Sequence, residues 1–107
     1  MGRCRYELLT DLEPALDEIR NFEGLVEKKP GIFYFKTQGF MHFHEKDGEI
    51  WADLRDGEAG QTNWGEPIHL PKRITKVFCK KFVLEVNERF CKHTSNTKFS
   101  VKNLYWK

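Results

Sequence analysis

GIFYFKTQGFMHFHEKDGEIWADLR runs from Gly31 to Arg55. Strand signals are short runs of β-branched and aromatic residues bounded by turn formers. Three such runs stand here: Ile32-Phe33-Tyr34-Phe35, Phe40-Met41-His42-Phe43-His44 and Ile50-Trp51-Ala52-Asp53-Leu54. Between the second and third sits Lys46-Asp47-Gly48-Glu49. Asp-Gly between strands predicts a type I′ hairpin, because both central positions of that turn need positive φ. Centring the turn on Asp47 and Gly48 sets the register. His44 then faces Trp51, Phe43 faces Ala52, and His42 faces Asp53.

Side chains alternate between the two faces of a strand. One predicted face carries Met41, Phe43, Ile50, Ala52 and Leu54 and belongs to the core. The other carries Phe40, His42, His44, Trp51, Asp53 and Arg55. A slip of one residue would exchange the faces. The first run is apolar on both sides, which predicts cover on both, by a helix and by a loop or second subunit.

Outward toward the N-terminus, Leu12, Ala15, Leu16, Ile19 and Phe22 follow helical spacing. Asp11 is read as the N-cap, with Pro14 in the first turn, where a missing N–H costs little. Glu13, Asp17, Glu18 and Arg20 fall on the solvent side, and Gly24 ends the helix. Residues 1–10 are read as a short strand or tail. Outward toward the C-terminus, Ile68-His69-Leu70 is a candidate fourth strand. From Thr75 to Lys92 the chain reads as a helix whose Phe78, Cys79, Phe82, Val83, Val86 and Phe90 make one apolar stripe. Val77, Leu84 and Cys91 make a second, thinner stripe. Lys98 to Tyr105 alternates loosely, as a last edge strand would.

These elements predict one α+β domain over residues 1–107: an N-terminal helix, an antiparallel meander of about three to five strands, and a long C-terminal helix packed on one sheet face. No apolar run is long enough to cross a bilayer. The opening MGRCRYELLTDLEP lacks the apolar stretch of a secretory signal. Cys4, Cys79 and Cys91 are odd in number and form no C-x-x-C pair. On one helix, Cys79 and Cys91 would lie about 18 Å apart, too far for a disulfide. A cytoplasmic chain with reduced thiols is the expectation.

The charge is unevenly spread. The formal net charge is +2, but residues 1–71 sum to −6 and residues 72–107 to +8. Lys72, Lys76, Lys80, Lys81 and Lys102, with aromatics in the tail, make a candidate surface for nucleic acid or another polyanion. The first seventy residues would repel that partner, so nucleic acid is not the favoured partner.

The sharpest cluster is His42, His44 and Asp53. Imidazoles at i and i+2 of a strand point the same way, and a carboxylate from the next strand completes either a divalent-metal site or an acid–base site. Glu49 at the hairpin tip is a further candidate ligand. Packing is the alternative: His42 bonded to Asp53 and His44 stacked on Trp51, as cross-strand pairs do. Trp51, Arg55 and Trp64 are candidate binding residues, and Trp64 is also read as an anchor for its loop. Phosphate-binding glycine loops, nucleophile elbows and helical zinc-protease motifs are absent.

His42, His44 and Glu49 have the spacing H-x-H-x4-E, which resembles part of the first cupin motif. The motif's glycines and its second half are missing from this chain. The longer string PGIFYFKTQGFMHFHEKDGEIWADLR resembles a segment of small bacterial proteins of uncharacterised function, in which an aromatic strand precedes Phe-x-His-Phe-His-Glu and then Ala-Asp. That resemblance covers about a quarter of the chain. It implies a small α+β domain in a bacterial cytosol and brings no activity. The leading functional expectation is a non-enzymatic binding module that forms a homodimer through the aromatic sheet face.

Overall fold

The computed structural model describes residues 2–55 and 64–94. Along them run β1 (Gly2–Arg3), a 3-10 segment (Tyr6–Leu12), α1 (Glu13–Ile19), β2 (Leu25–Lys29), β3 (Ile32–Phe35), β4 (Gln38–Lys46), β5 (Glu49–Leu54), β6 (Ile68–His69) and α2 (Lys76–His93). The fold is α+β, with helices at both ends and an antiparallel sheet between them. The sheet order is β2-β3-β4-β5-β6. β4 is the longest strand. β3 pairs with its first half, and β1 takes up the second half at His44 and Glu45. No helix among the described residues is long and apolar enough to cross a membrane.

The β4–β5 hairpin follows from its turn. Asp47 and Gly48 adopt φ of 53° and 81°, as a type I′ turn requires. The register runs Lys46 to Glu49, His44 to Trp51, Phe43 to Ala52 and His42 to Asp53. Alternation then buries Phe43, Met41, Ala52 and Leu54 on one side. α2 covers that side: Phe82 lies 6.1 Å from Phe43 between ring centroids, and Phe90 lies 5.3 Å from Phe35. α1 packs beside α2 and contributes Ala15, Leu16 and Ile19 to the same core.

The alternating reading fails at Phe40. Phe33 pairs with Met41 but Tyr34 pairs with Gly39, so β4 holds one more residue than β3 between those pairs. Such a bulge re-aims a side chain. Phe40 is 0% exposed, with its ring 5.3 Å from Phe90 and 5.6 Å from His93. It therefore belongs to the core and not to the face of His42.

The N-terminal helix also starts differently. Asp11 lies inside the 3-10 segment and does not cap; α1 begins at Glu13 after Leu12, with Pro14 in its first turn. Leu9 and Leu12 are buried within the 3-10 segment, so apolar anchoring of the tighter turns fixes this start. Leu25–Lys29 forms β2 and pairs antiparallel with β3, a strand beyond the three runs of the central meander. The expected C-terminal strand, Lys98 to Tyr105, lies outside the described residues.

α2 begins where its cap dictates. The Thr75 side chain accepts a hydrogen bond from the Phe78 N–H at 3.1 Å. Thr75→Ala removes that acceptor and is expected to lower stability by about 1 kcal/mol, read as a shifted urea midpoint at unchanged slope. The first apolar stripe of α2 is buried through Cys79, Phe82, Val83, Val86 and Phe90. Val77 and Leu84 of the second stripe are each 63% exposed.

Candidate functional site

The face of the sheet opposite α2 gathers the candidate residues. His42 and His44 project from β4, and Trp51 and Asp53 from β5. Asp53 Oδ2 lies 3.0 Å from His44 Nε2 and 3.5 Å from His42 Nε2. The pairing is diagonal. His42 stands directly opposite Asp53 in the ladder, yet His44 makes the shorter contact, as diagonal neighbours in an antiparallel pair are within side-chain reach. The two imidazoles meet edge to face, with centroids 4.6 Å apart at 87°. One ligand atom from each of His42, His44 and Asp53 lies within 4.8 Å of the others.

Indole rings brace both imidazoles. His44 stacks on Trp51 at 5.6 Å and 28°, the contact the packing alternative anticipates. His42 lies 4.6 Å from Trp64. Trp64 reaches this face because the chain before β6 returns along β5. An isolated bridge pairs Arg55 with Trp64, and the Gly65 N–H donates to the Leu54 carbonyl at 2.7 Å. The buried Arg89 of α2 donates to the Glu66 carbonyl at 2.6 Å and to Glu85 at 2.8 Å. Trp64 is thus an anchored residue that keeps 40% of its surface exposed.

Beside His42 a cavity of about 260 Å³ opens; Tyr34, His42, Arg55 and Trp64 line it together with the apolar Ile32 and Met41. The Arg55 guanidinium stacks over the Trp64 ring at 4.1 Å, and its Nε–H donates to the Gly39 carbonyl at 2.9 Å. The cation is held over the indole, and both side chains line the cavity. A Cβ at Gly39 would meet the Tyr34 ring at 3.9 Å, an ordinary contact distance, so the position has room for a small side chain. Tyr34 and Gly39 escape a sequence reading because the β3–β4 bulge that sets their register leaves no signal in residue type.

Other candidates stand apart. Glu49 is exposed, pairs with Lys46 at the hairpin end and is absent from the His42–His44–Asp53 cluster. The part-cupin spacing therefore does not bring its carboxylate to the imidazoles. Lys72, Lys76, Lys80 and Lys81 are exposed on and before α2, in the layer on the other side of the sheet. Lys102 lies outside the described residues. Phe78 and Phe82, the aromatics beside these lysines along the helix, stack on each other at 5.9 Å; Phe78 is half-buried and Phe82 is buried. Cys4 is a poor nucleophile: burial first, then the Glu45 carboxylate, pushes its thiol up to about 11.

No family model matches the chain, and neither the curated proteins nor the solved structures give a match to it. The functional reading therefore rests on the geometry of this sheet face.

Proposed function

We propose that the chain is a non-enzymatic binding module whose recognition surface is the sheet face bearing His42, Arg55 and Trp64. The supporting observation is the cavity beside His42, where a guanidinium already stacked on an indole meets a phenol ring and an imidazole. That combination suits a small planar anion. The ring faces offer stacking, and Arg55 supplies the charge and planar fork that carboxylates match. At about 260 Å³ the cavity falls below the ~300–1,000 Å³ usual for drug-sized ligands, which favours a compact ligand.

A ligand-detected NMR screen of small aromatic carboxylates tests this. Hits are expected to shift the Trp64 indole signal and to lose roughly 10-fold or more in affinity in Arg55→Ala, as loss of a charge-assisted contact does. Equal binding to Arg55→Ala, or the lack of any hit at this face, overturns the reading.

The expected homodimer is a proposal about the same face. A second copy seated on Trp51 and Trp64 would cover the cavity, so self-association and ligand binding would compete. Sedimentation of wild type against Trp64→Glu checks it, with the variant expected to shift toward monomer.

A further inference from the structure

We infer that His42, His44 and Asp53 form a binding site for one divalent transition-metal ion, distinct from the anion cavity that His42 borders. The donor atoms already converge. Both Nε2 atoms aim at one carboxylate oxygen, at 3.0 and 3.5 Å. With metal–ligand bonds of about 2.0–2.2 Å, the edges of a tetrahedron of ligands measure about 3.3–3.5 Å. The two nitrogen–oxygen separations fall close to that figure, and all three atoms lie within 4.8 Å of one another, so the imidazole nitrogens need to close by at most about 1.5 Å.

The surroundings fit the chemistry. Two imidazoles and a carboxylate suit Zn²⁺, Ni²⁺ or Co²⁺, whereas Mg²⁺ and Ca²⁺ want an all-oxygen shell. The ion-pair contacts of Asp53 among the described residues are the two imidazoles, so no lysine or arginine among those residues competes for the carboxylate. Trp51 packs against the His44 ring and Trp64 against the His42 ring, which limits the range of orientations the two imidazoles take. Three protein ligands leave the remaining positions to water or another small donor. The cluster differs from the cupin arrangement suggested by spacing, since Asp53 of the neighbouring strand stands where that motif would use Glu49.

One feature sets the strength. His44 Nδ1 is buried and has no hydrogen-bond partner among the described residues. Metal-binding histidines almost always donate from the second ring nitrogen to an acceptor. Coordination through Nε2 places the ring proton on Nδ1, where no protein group receives it. An unmet buried donor of that kind weakens binding by roughly 10- to 100-fold. The site is therefore an exchangeable one, and not a structural centre that holds the fold together.

The test is a calorimetric titration of untagged, reduced protein with Zn²⁺ in the presence of excess Mg²⁺, repeated with Co²⁺ and read by visible absorption. One equivalent is expected to bind. Asp53→Asn and His44→Gln, each verified as folded by circular dichroism, are expected to weaken it at least about 10-fold. His69→Gln, an exposed histidine outside the cluster, is expected to leave it unchanged. A thiolate-to-cobalt charge-transfer band, binding that survives both cluster substitutions, or no binding below roughly 100 µM overturns the site. Arg55→Ala separates the two readings, since it removes the cation of the anion cavity and leaves all three metal ligands. Loss of anion binding with retained metal binding shows the two sites to be independent.

Discussion

Phe40→Ala is expected to destabilise the protein by about 3–5 kcal/mol, the cost of truncating a fully buried phenylalanine. Domains of this kind have about 5–15 kcal/mol in total, so the variant sits near the edge of folding. Strict alternation along β4 gives the opposite expectation. It places Phe40 beside His42 on the outer face, where truncation would cost within about 0.5 kcal/mol. The bulge between β3 and β4 decides between them. It turns the Phe40 ring to the helix side, against Phe90 and His93.

Urea unfolding followed by far-ultraviolet circular dichroism measures the difference. Phe40→Leu keeps most of the volume and is expected to cost less than about 1.5 kcal/mol. Val26→Ala, at a position 53% exposed on β2, serves as the control for a strand residue away from the core. A loss under about 1 kcal/mol for Phe40→Ala would place the ring outside the core and rule out the bulge. The β3–β4 register would go with it, and so would the positions of Tyr34 and Gly39 around the cavity.

The parts of the fold that sequence reveals are those set by local chemistry. Asp47-Gly48 specifies the hairpin turn, and a two-residue type I′ turn leaves one register, so the pairing of His42 with Asp53 follows from residue type alone. Thr75 and the spacing from Cys79 to Phe90 similarly specify α2. What stays hidden is set by tertiary contact. No residue marks the extra position at Phe40, because a bulge needs only a partner strand of different length. Trp64 is visible as a bulky aromatic in a loop, but its place over Arg55 depends on Arg89 reaching the Glu66 carbonyl from α2. The candidate cluster was legible for the same reason as the hairpin. Its closest contact, His44 to Asp53, was not, because it runs diagonally across the ladder.

Arg20 shows the same divide and carries the second large effect. Helical spacing puts it on the solvent side, at the residue that follows α1, and the spacing of Glu13 and Asp17 before it is visible. Glu27 comes from β2 and is not. In the structure the Arg20 guanidinium donates to Glu27 at 2.6 Å through Nε and 3.2 Å through Nη2. It also donates to Glu13 and Asp17, each at 2.6 Å, and to the Tyr6 hydroxyl at 2.8 Å. Tyr6 in turn donates to Glu13, and Glu27 accepts the Gly31 N–H at 2.9 Å. One cation therefore ties the 3-10 segment, α1, β2 and the β2–β3 turn together.

Isolated surface ion pairs contribute little. This one is a network with a forked contact, and the Arg20 and Glu27 side chains are only 27% and 19% exposed. Arg20→Ala leaves three carboxylates gathered around no cation. Its expected cost is about 2 kcal/mol, below the ~3–5 kcal/mol of a fully buried pair because solvent screens part of it. Arg20→Lys should recover only part of that loss, since an ammonium lacks the planar fork.

The pH dependence follows from the carboxylates. Burial pushes the Glu27 carboxyl up, but the Arg20 guanidinium and the Gly31 N–H outweigh it and hold the group below its ordinary range. The Tyr6 hydroxyl first, and then Arg20, lowers Glu13. Groups lowered in the folded state stabilise it above their unfolded values, about pH 4 to 5, and that stability is lost as pH falls through the folded values. In Arg20→Ala the guanidinium's lowering is gone. The stability gap between wild type and Arg20→Ala is therefore expected to be full near about pH 7 and to shrink below about pH 4. Urea midpoints across that range measure it, and a gap that stays constant or widens toward acid would show that Arg20 acts through packing of its stem and not through these carboxylates.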